Sequence, residues 1–121
     1  MGKRVLVIED HEDNRRILHD LLTSAGYEPL EAITGEEGVA LAETHRPDLI
    51  LMDIQLPGLD GYEATRRIKA NPALRHIPVI AVTSYALSGD EVKAKAAGCD
   101  AYVTKPFSPR ALLAKVREYL P

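Results

Sequence analysis

Acidic, hydroxyl and lysine side chains follow short apolar segments at the point where each segment ends. Glu9 and Asp10 follow the first segment, Asp53 the third, Thr83 the fourth and Lys105 the fifth. If these segments are parallel strands, their carboxyl ends meet at one edge of a sheet, and the side chains gather there. Carboxylates, a hydroxyl and a lysine are the groups that metal-assisted phosphoryl transfer to a carboxylate uses. The pattern therefore predicts a site for that chemistry.

The carboxylates in this pattern predict a magnesium site. Three of them at adjacent strand ends would repel one another unless a cation lay between them. Mg²⁺ suits such a site because it takes one or two carboxylates, keeps several waters and leaves positions for phosphate oxygens. No sulfur or paired imidazole stands near them in the sequence to favour zinc. Glu9 and Asp10 alone are more typical of a solvated loop that caps a helix, but the addition of Asp53 favours the metal.

Asp53 is the predicted acceptor of the phosphoryl group. It follows four apolar residues and precedes a segment, 54–58, that ends in Pro-Gly, so it emerges at a strand tip. A carboxylate there can attack phosphorus and form a mixed anhydride. Lys105 can contact the added oxygens as a point charge, and Thr83 can donate its hydroxyl to one of them.

Short apolar runs alternate with longer segments of helical period along the whole chain. The predicted strands are residues 5–8, 27–32, 49–52, 79–82 and 101–103. Their nearly continuous apolar character is typical of parallel strands that are buried on both faces. The second run is more polar and contains Pro29, which indicates a strand at the edge of the sheet.

Five helices are predicted between and after these strands. Ile17, Leu18, Leu21, Leu22 and Ala25 share one face of the first, and residues 89–97 form the fourth. Thr34, Asp60 and Ser108 are the expected N-caps of the second, third and fifth. Five strand–helix units in succession predict a doubly wound, three-layer α/β sandwich with a five-stranded parallel sheet.

The arrangement resembles the receiver domains of two-component signalling, and the resemblance covers residues 3–120. The family pattern has an acidic pair after the first strand, an acceptor aspartate in D-x-x-x-P-G-x-x-G, Thr or Ser after the fourth strand and Lys-Pro after the fifth. Residues 53–61 match the second of these motifs, and Lys105 precedes Pro106. The resemblance implies a flavodoxin-like, CheY-like fold with strand order 2-1-3-4-5. It also implies a phosphoacceptor switch of a two-component system or phosphorelay.

The resemblance further implies the metal ligands and one backbone feature. Asp10 and Asp53 are expected to bind Mg²⁺ directly, Glu9 is expected to assist through water, and the backbone carbonyl of Gln55 completes the protein ligands. The bond between Lys105 and Pro106 is expected to be a cis peptide.

The same resemblance implies how phosphorylation would be read out. The added charge and acceptor oxygens would draw Thr83 and Lys105 toward Asp53, and Tyr102 would turn inward as the switch residue. The surface of the fourth helix, fifth strand and fifth helix is the candidate site for a downstream protein, with Tyr85, Ala86, Val92, Lys95 and Lys105 among its residues. The expected phosphoryl donor is a histidine kinase or a histidine phosphotransfer protein, and the expected state is a monomer or weak dimer.

Length and composition limit the other functions open to the chain. Its 121 residues are the size of one domain, so residues 1–121 are predicted to form a single receiver domain. Fifteen Lys and Arg against 18 Asp and Glu give a formal charge of -3 without a basic stripe, which argues against nucleic-acid binding. Cys99 is the single cysteine, and the N-terminal apolar run is too short for a signal peptide or a membrane span. We therefore expect a cytoplasmic protein that binds no membrane.

Alternatives of the same architecture make weaker matches. A haloacid-dehalogenase-like phosphatase also uses a strand-end aspartate but needs a second carboxylate two residues later, where this chain has Gln55. A nucleotide- or flavin-binding domain needs a glycine-rich or hydroxyl-rich phosphate loop, whereas the acidic segment 9–13 would repel phosphate. A receiver portion of a hybrid histidine kinase or multidomain regulator stays open. The four histidines, His11, His19, His45 and His76, lack ligand spacing and are predicted to be surface or packing residues.

Overall fold

Strands and helices alternate through the computed structural model, which describes residues 2–83, 90–105 and 108–121. The strands are β1 (Arg4–Ile8), β2 (Glu28–Ala32), β3 (Leu49–Asp53), β4 (Val79–Thr83) and β5 (Ala101–Thr104). The helices are α1 (Glu12–Ser24), α2 (Gly35–His45), α3 (Gly61–Ala70), α4 (Asp90–Ala97) and α5 (Pro109–Tyr119). The expected partner-surface residues Tyr85 and Ala86 lie outside the described residues. So does the expected cis peptide bond between Lys105 and Pro106.

The strands form one parallel sheet in the order β2-β1-β3-β4-β5, which confirms the expected fold. β2 lies at an edge, as its polarity and Pro29 predicted. From β1 the chain first adds β2 on one side, and it then crosses back to add β3, β4 and β5 on the other side. The strand order therefore reverses between β1 and β3. In sheets of this kind, ligands bind beyond the carboxyl ends of the strands at that reversal.

The core has one layer on each face of the sheet, which explains the continuous apolar strands. Alternate strand residues such as Leu6, Ile8, Ile50 and Met52 pack on one face with residues of α2, α3 and α4. The intervening residues pack on the other face with α1 and α5, and they include Val5, Val7, Leu49 and Leu51. The predicted three-layer sandwich is therefore confirmed.

Side-chain caps begin three of the helices where the sequence predicted them. The Thr34 hydroxyl accepts a hydrogen bond from the Glu37 backbone N–H, and the Asp60 carboxylate accepts one from Glu63. Ser108 caps α5 in the same way. These caps satisfy N–H groups that a helix cannot pair internally. Among the described residues, no helix combines the length and the apolar composition needed to cross a bilayer.

Candidate metal centre

The acidic residues lie together beyond the carboxyl ends of β1 and β3. Ile8 pairs with Met52 in the sheet, so the residues that follow, Glu9 and Asp53, emerge side by side. Glu9 is 1% exposed and Asp53 is 3% exposed. Parallel pairing therefore brings together two carboxylates that are 44 residues apart in the sequence, and it buries both of them.

Lys105 crosses the site from the end of β5 and neutralises part of this charge. Its ammonium group donates a hydrogen bond to Glu9 Oε1 over 2.6 Å and lies 3.5 Å from Asp53 Oδ2. Its backbone N–H donates to the carbonyl of Thr83 at the end of β4. The lysine is thus held at the carboxyl ends of the strands both by its main chain and by its side chain. The shorter of its two carboxylate contacts is with Glu9.

Burial and neighbouring charge push the pKa values of the two carboxylates apart. Burial, together with the hydrogen bond and the charge of Glu9, raises the pKa of Asp53 from 3.8 to about 7. Burial also acts to raise the pKa of Glu9, but hydrogen bonds from Lys105, the His11 backbone and Asp53 outweigh it and lower that pKa to about 2. Without a cation, the Asp53 carboxyl is therefore the one of the two that takes up a proton as the pH falls below about 7, while Glu9 stays ionised.

The donor set fits Mg²⁺. Ligand atoms of Glu9, Asp10, His11 and Asp53 all lie within 4.8 Å of one another. Asp10 Oδ1 is buried and accepts no hydrogen bond from the described residues, so it has lone pairs to offer a cation. Hard carboxylate oxygens are the protein ligands that Mg²⁺ takes, and a divalent charge would lower the pKa of Asp53, which burial and Glu9 raise.

The loop after β3 orients the Asp53 carboxylate. The Gln55 backbone N–H donates to Asp53 Oδ1 over 3.1 Å, and the Gln55 side chain is exposed. Gly61 begins α3 directly against the main chain of Asp53 and Ile54, where a Cβ atom would collide with the Asp53 carbonyl oxygen. Gly58, in the turn between Asp53 and Gly61, has a φ of 71°, a backbone conformation that favours glycine. The glycines of the predicted motif therefore permit the tight path that returns the chain to the site.

Thr83 and Tyr102 occupy the expected strand positions next to this site. Thr83 is buried as the last residue of β4, and β4 pairs with β3 through Asp53 and Val82. Tyr102 is half-buried on β5, pairs with Ala81 of β4 and packs against the core layer on the α3–α4 side. Ala81, the partner of Tyr102, lies two positions before Thr83 in β4, so Thr83 and Tyr102 occupy neighbouring parts of the same strand pair.

Two residues at the site were not identified by the sequence. His11, predicted to be a surface or packing residue, is exposed but places Nδ1 3.2 Å from Glu9 Oε2 and 3.3 Å from Asp10 Oδ1. Arg15 donates from its guanidinium to the backbone carbonyls of Glu9 and Asp10, over 3.0 and 3.1 Å. The adjacency of His11 to the acidic pair was a visible signal. Nothing in the sequence indicated that Arg15 would turn back toward the loop.

Known proteins resemble this chain over nearly its whole length. The family model described as the response regulator receiver domain matches residues 5–117. The polar-differentiation response regulator DivK of Brucella anthropi is 47% identical over 120 residues, which cover 99% of this chain and 98% of that protein. The corresponding DivK of Brucella ovis is 46% identical with the same coverage.

Solved structures give the same result. The receiver domain of the sensor histidine kinase PA1611 from Pseudomonas aeruginosa, with a magnesium ion coordinated in its active-site cleft, matches with a TM-score of 0.93. It is 38% identical, and the match covers 99% of this chain and 98% of that one. The chemotaxis protein CheY4 of Vibrio cholerae has a TM-score of 0.93 at 27% identity, with coverage of 98% and 99%.

Proposed function

Because the chain belongs to the response regulator receiver domain family, we propose that Asp53 is the residue at which it accepts a phosphoryl group. Members of this family are phosphoacceptor signalling domains of two-component systems, and their donors are histidine kinases or phosphotransfer proteins. The observation that carries the residue assignment is the position of Asp53. It is a buried carboxylate at the tip of β3, beside Glu9 and Asp10 and 3.5 Å from the Lys105 ammonium. We further propose that residues 1–121 fold as one such domain.

In the proposed reaction, Asp53 acts as an ionised nucleophile. One carboxylate oxygen forms a bond to phosphorus, the P–N bond to the donor histidine breaks, and the departing imidazole takes up a proton. With acetyl phosphate as donor, a P–O bond breaks and acetate leaves. The Gln55 N–H that donates to Oδ1 keeps the carboxylate oriented during the attack. By supplying these groups, the chain assists its own phosphorylation and its later hydrolysis.

The other acidic residues are the proposed metal ligands. Mg²⁺ held by Asp10 and Asp53, with Glu9 acting through water and with the Gln55 carbonyl, would neutralise carboxylate and phosphoryl charge. The chain's own contribution is to hold these oxygens close together before any ligand arrives. Arg15 fixes the loop by binding the carbonyls of Glu9 and Asp10, so that their side chains stay directed to the cleft.

Thr83 and Lys105 are the proposed readers of the phosphoryl group. The Thr83 hydroxyl would donate to one new oxygen and the Lys105 ammonium to another. Because Lys105 N–H is bonded to the Thr83 carbonyl, a shift of either residue is passed to the pairing of β4 and β5. We propose that Tyr102, on the same strand pair, changes its packing in response.

The proposed binding surface for a downstream protein lies between α4, β5 and α5. A groove of about 290 Å³ is present there, and Tyr102 lines it together with Lys95, Cys99, Lys115 and Tyr119. Val92 of α4 is also exposed, at 70%. The lysines and tyrosines of the groove suit a partner segment that carries acidic and apolar side chains, since the acidic residue that also lines the groove, Asp100, is paired with Lys69. We propose that this partner binds a monomer or weak dimer of the chain.

Labelling by acetyl phosphate tests the acceptor assignment. In the presence of Mg²⁺, wild-type protein should become labelled from ³²P-acetyl phosphate, and Asp53→Asn should not, because an amide cannot form the mixed anhydride. Asp20→Asn removes an exposed carboxylate of α1 and is the matched control, which should label like the wild type. Undiminished labelling of Asp53→Asn would contradict the assignment.

A further inference from the structure

His11 is a histidine at the acidic site that the proposed phosphoryl transfer does not use. It stands at the N-cap position of α1, yet its side chain caps no backbone N–H of that helix. Its Nδ1 instead lies 3.2 Å from Glu9 Oε2 and 3.3 Å from Asp10 Oδ1. The imidazole is 67% exposed, so burial does not force it to face the carboxylates.

A main-chain hydrogen bond holds His11 close to Glu9. Its backbone N–H donates to Glu9 Oε2 over 3.1 Å, the same oxygen that Nδ1 approaches. The other oxygen of Glu9 is bound by Lys105. Glu9 is therefore fixed at both oxygens, and the backbone contact limits how far the imidazole can move from the cleft. The nitrogen is positioned before any ion binds, which reduces the entropy lost on binding.

We propose that His11 supplies a nitrogen ligand to the cation site, so that the cleft of this chain favours divalent ions that accept imidazole. This inference rests on the proposed function in that it takes the carboxylates of Asp10 and Asp53 as metal ligands. These ions are borderline transition metals such as Ni²⁺ and Zn²⁺, which would bind at the same site as alternatives to Mg²⁺.

The chemistry of the donors supports this selectivity. Mg²⁺ is hard, prefers oxygen and gives up its waters reluctantly, so it gains little from an imidazole. Zinc, copper, iron and nickel accept imidazole nitrogen well, and their affinities for mixed nitrogen and oxygen sites exceed those of Mn²⁺. Asp10 Oδ1, which accepts no hydrogen bond from the part of the chain that the structure describes, lies 3.3 Å from His11 Nδ1 and can share an ion with it. One nitrogen among several oxygens thus shifts preference without abolishing Mg²⁺ binding.

The other histidines with described contacts have different partners. His19 Nδ1 of α1 contacts Glu31 Oε2 of β2 over 3.0 Å, and His45 Nδ1 contacts the Thr44 hydroxyl. His19 is a matched control for His11, because each is a partly exposed histidine of the α1 region beside one or more carboxylates. Of these histidines, His11 alone belongs to the cluster of potential ligands around Asp53.

Calorimetric titration of the untagged chain with Ni²⁺ and with Mg²⁺ tests the proposal. His11→Gln should lower the affinity for Ni²⁺ by about tenfold or more, since removal of an outer-shell group alone already costs about 10–100-fold at metal sites. The affinity for Mg²⁺ should change by less than about twofold, because oxygen ligands carry it. His19→Gln should leave both affinities unchanged.

A spectroscopic measurement separates direct ligation from mere positioning. Pulsed electron paramagnetic resonance of the Mn²⁺-loaded chain should detect ¹⁴N coupling in the wild type and in His19→Gln, and none in His11→Gln. Mn²⁺ is the probe because it accepts the oxygen ligands that suit Mg²⁺. This readout does not depend on phosphorylation.

Other outcomes of the titration would contradict either the role of His11 alone or the proposed function as well. Unchanged Ni²⁺ affinity in His11→Gln, or an equal loss of Ni²⁺ and Mg²⁺ affinity, would overturn the ligand role of His11 while leaving the proposed function intact. If the wild type bound neither ion, the proposed function and this inference would fail together.

Discussion

The protonation of Asp53 leads to a measurable pH dependence of stability. Asp53 is 3% exposed, and burial with the adjacent Glu9 raises its pKa from 3.8 to about 7 in the folded chain without metal. Between about pH 4 and pH 7 the folded state therefore binds more protons than the unfolded state. Stability that depends on this proton is fully present below about pH 4 and is lost as the pH rises from about 4 to about 7. Asp53→Asn, which mimics the protonated side chain, should not show this loss.

The size of the effect follows from the pKa change. At about 1.4 kcal/mol for each pKa unit, a rise from 3.8 to about 7 sets a ceiling of about 4 kcal/mol on the gain from Asp53→Asn at high pH. Lys105, 3.5 Å from Asp53 Oδ2, can move toward the ionised carboxylate and recover part of it. We therefore expect a gain of about 2–4 kcal/mol at pH 8.5. At pH 5, which is only about one unit above 3.8, the same relation sets a ceiling of about 2 kcal/mol, so the gain should be about half as large as at pH 8.5.

Urea unfolding followed by far-ultraviolet circular dichroism measures this difference, since the chain has no tryptophan for fluorescence. The experiment is done in EDTA at pH 5 and pH 8.5, and other titrating groups cancel because two variants are compared at each pH. Asp20→Asn, the exposed control on α1, should change stability equally at both pH values. Saturating Mg²⁺ should then stabilise the wild type more than Asp53→Asn at pH 8.5. An equal stability difference between the wild type and Asp53→Asn at both pH values would refute the reasoning.

Two further substitutions test how the chain positions the site. Gly61→Ala should lower the free energy of unfolding by about 1–3 kcal/mol, because the added methyl group would collide with the Asp53 carbonyl oxygen, and thermal unfolding measures the loss. Asp60→Ala should destabilise by about 1 kcal/mol through loss of the α3 cap, whereas Asp60→Asn keeps an acceptor oxygen and should cost less in urea unfolding. Equal stabilities of these two Asp60 variants would mean that the cap contributes nothing.

The fold was predictable because the physics that builds it is local and repetitive. Strands buried on both faces require continuous apolar runs, and the polar run with Pro29 was correctly predicted at the edge. Thr34 and Asp60 cap the helices that the sequence assigned to them. The acidic cluster followed from the rule that parallel strand ends share one edge, which needs no knowledge of side-chain conformation.

The contacts within the site were less predictable because they depend on distances of a few ångströms. Lys105 was expected near the acceptor, but its closest carboxylate is Glu9, across 96 residues of chain. Which of two neighbouring acids a long lysine reaches depends on side-chain length and on the strand register. The contact of His11 with Glu9 depends on the backbone path of a short loop, and that path cannot be inferred from the spacing of residues in the sequence.

The pairing of Lys105 with Glu9 also bears on how the site responds to phosphorylation. In the resting chain the lysine hydrogen-bonds a carboxylate of single charge at 2.6 Å and stays 3.5 Å from Asp53 Oδ2. A phosphoryl group on Asp53 would bring a charge of about -2 with three acceptor oxygens to that side. The stronger anion would compete with Glu9 for the ammonium group. Since the Lys105 backbone N–H is bonded to the Thr83 carbonyl, this exchange of partners would act directly on the junction of β4 and β5.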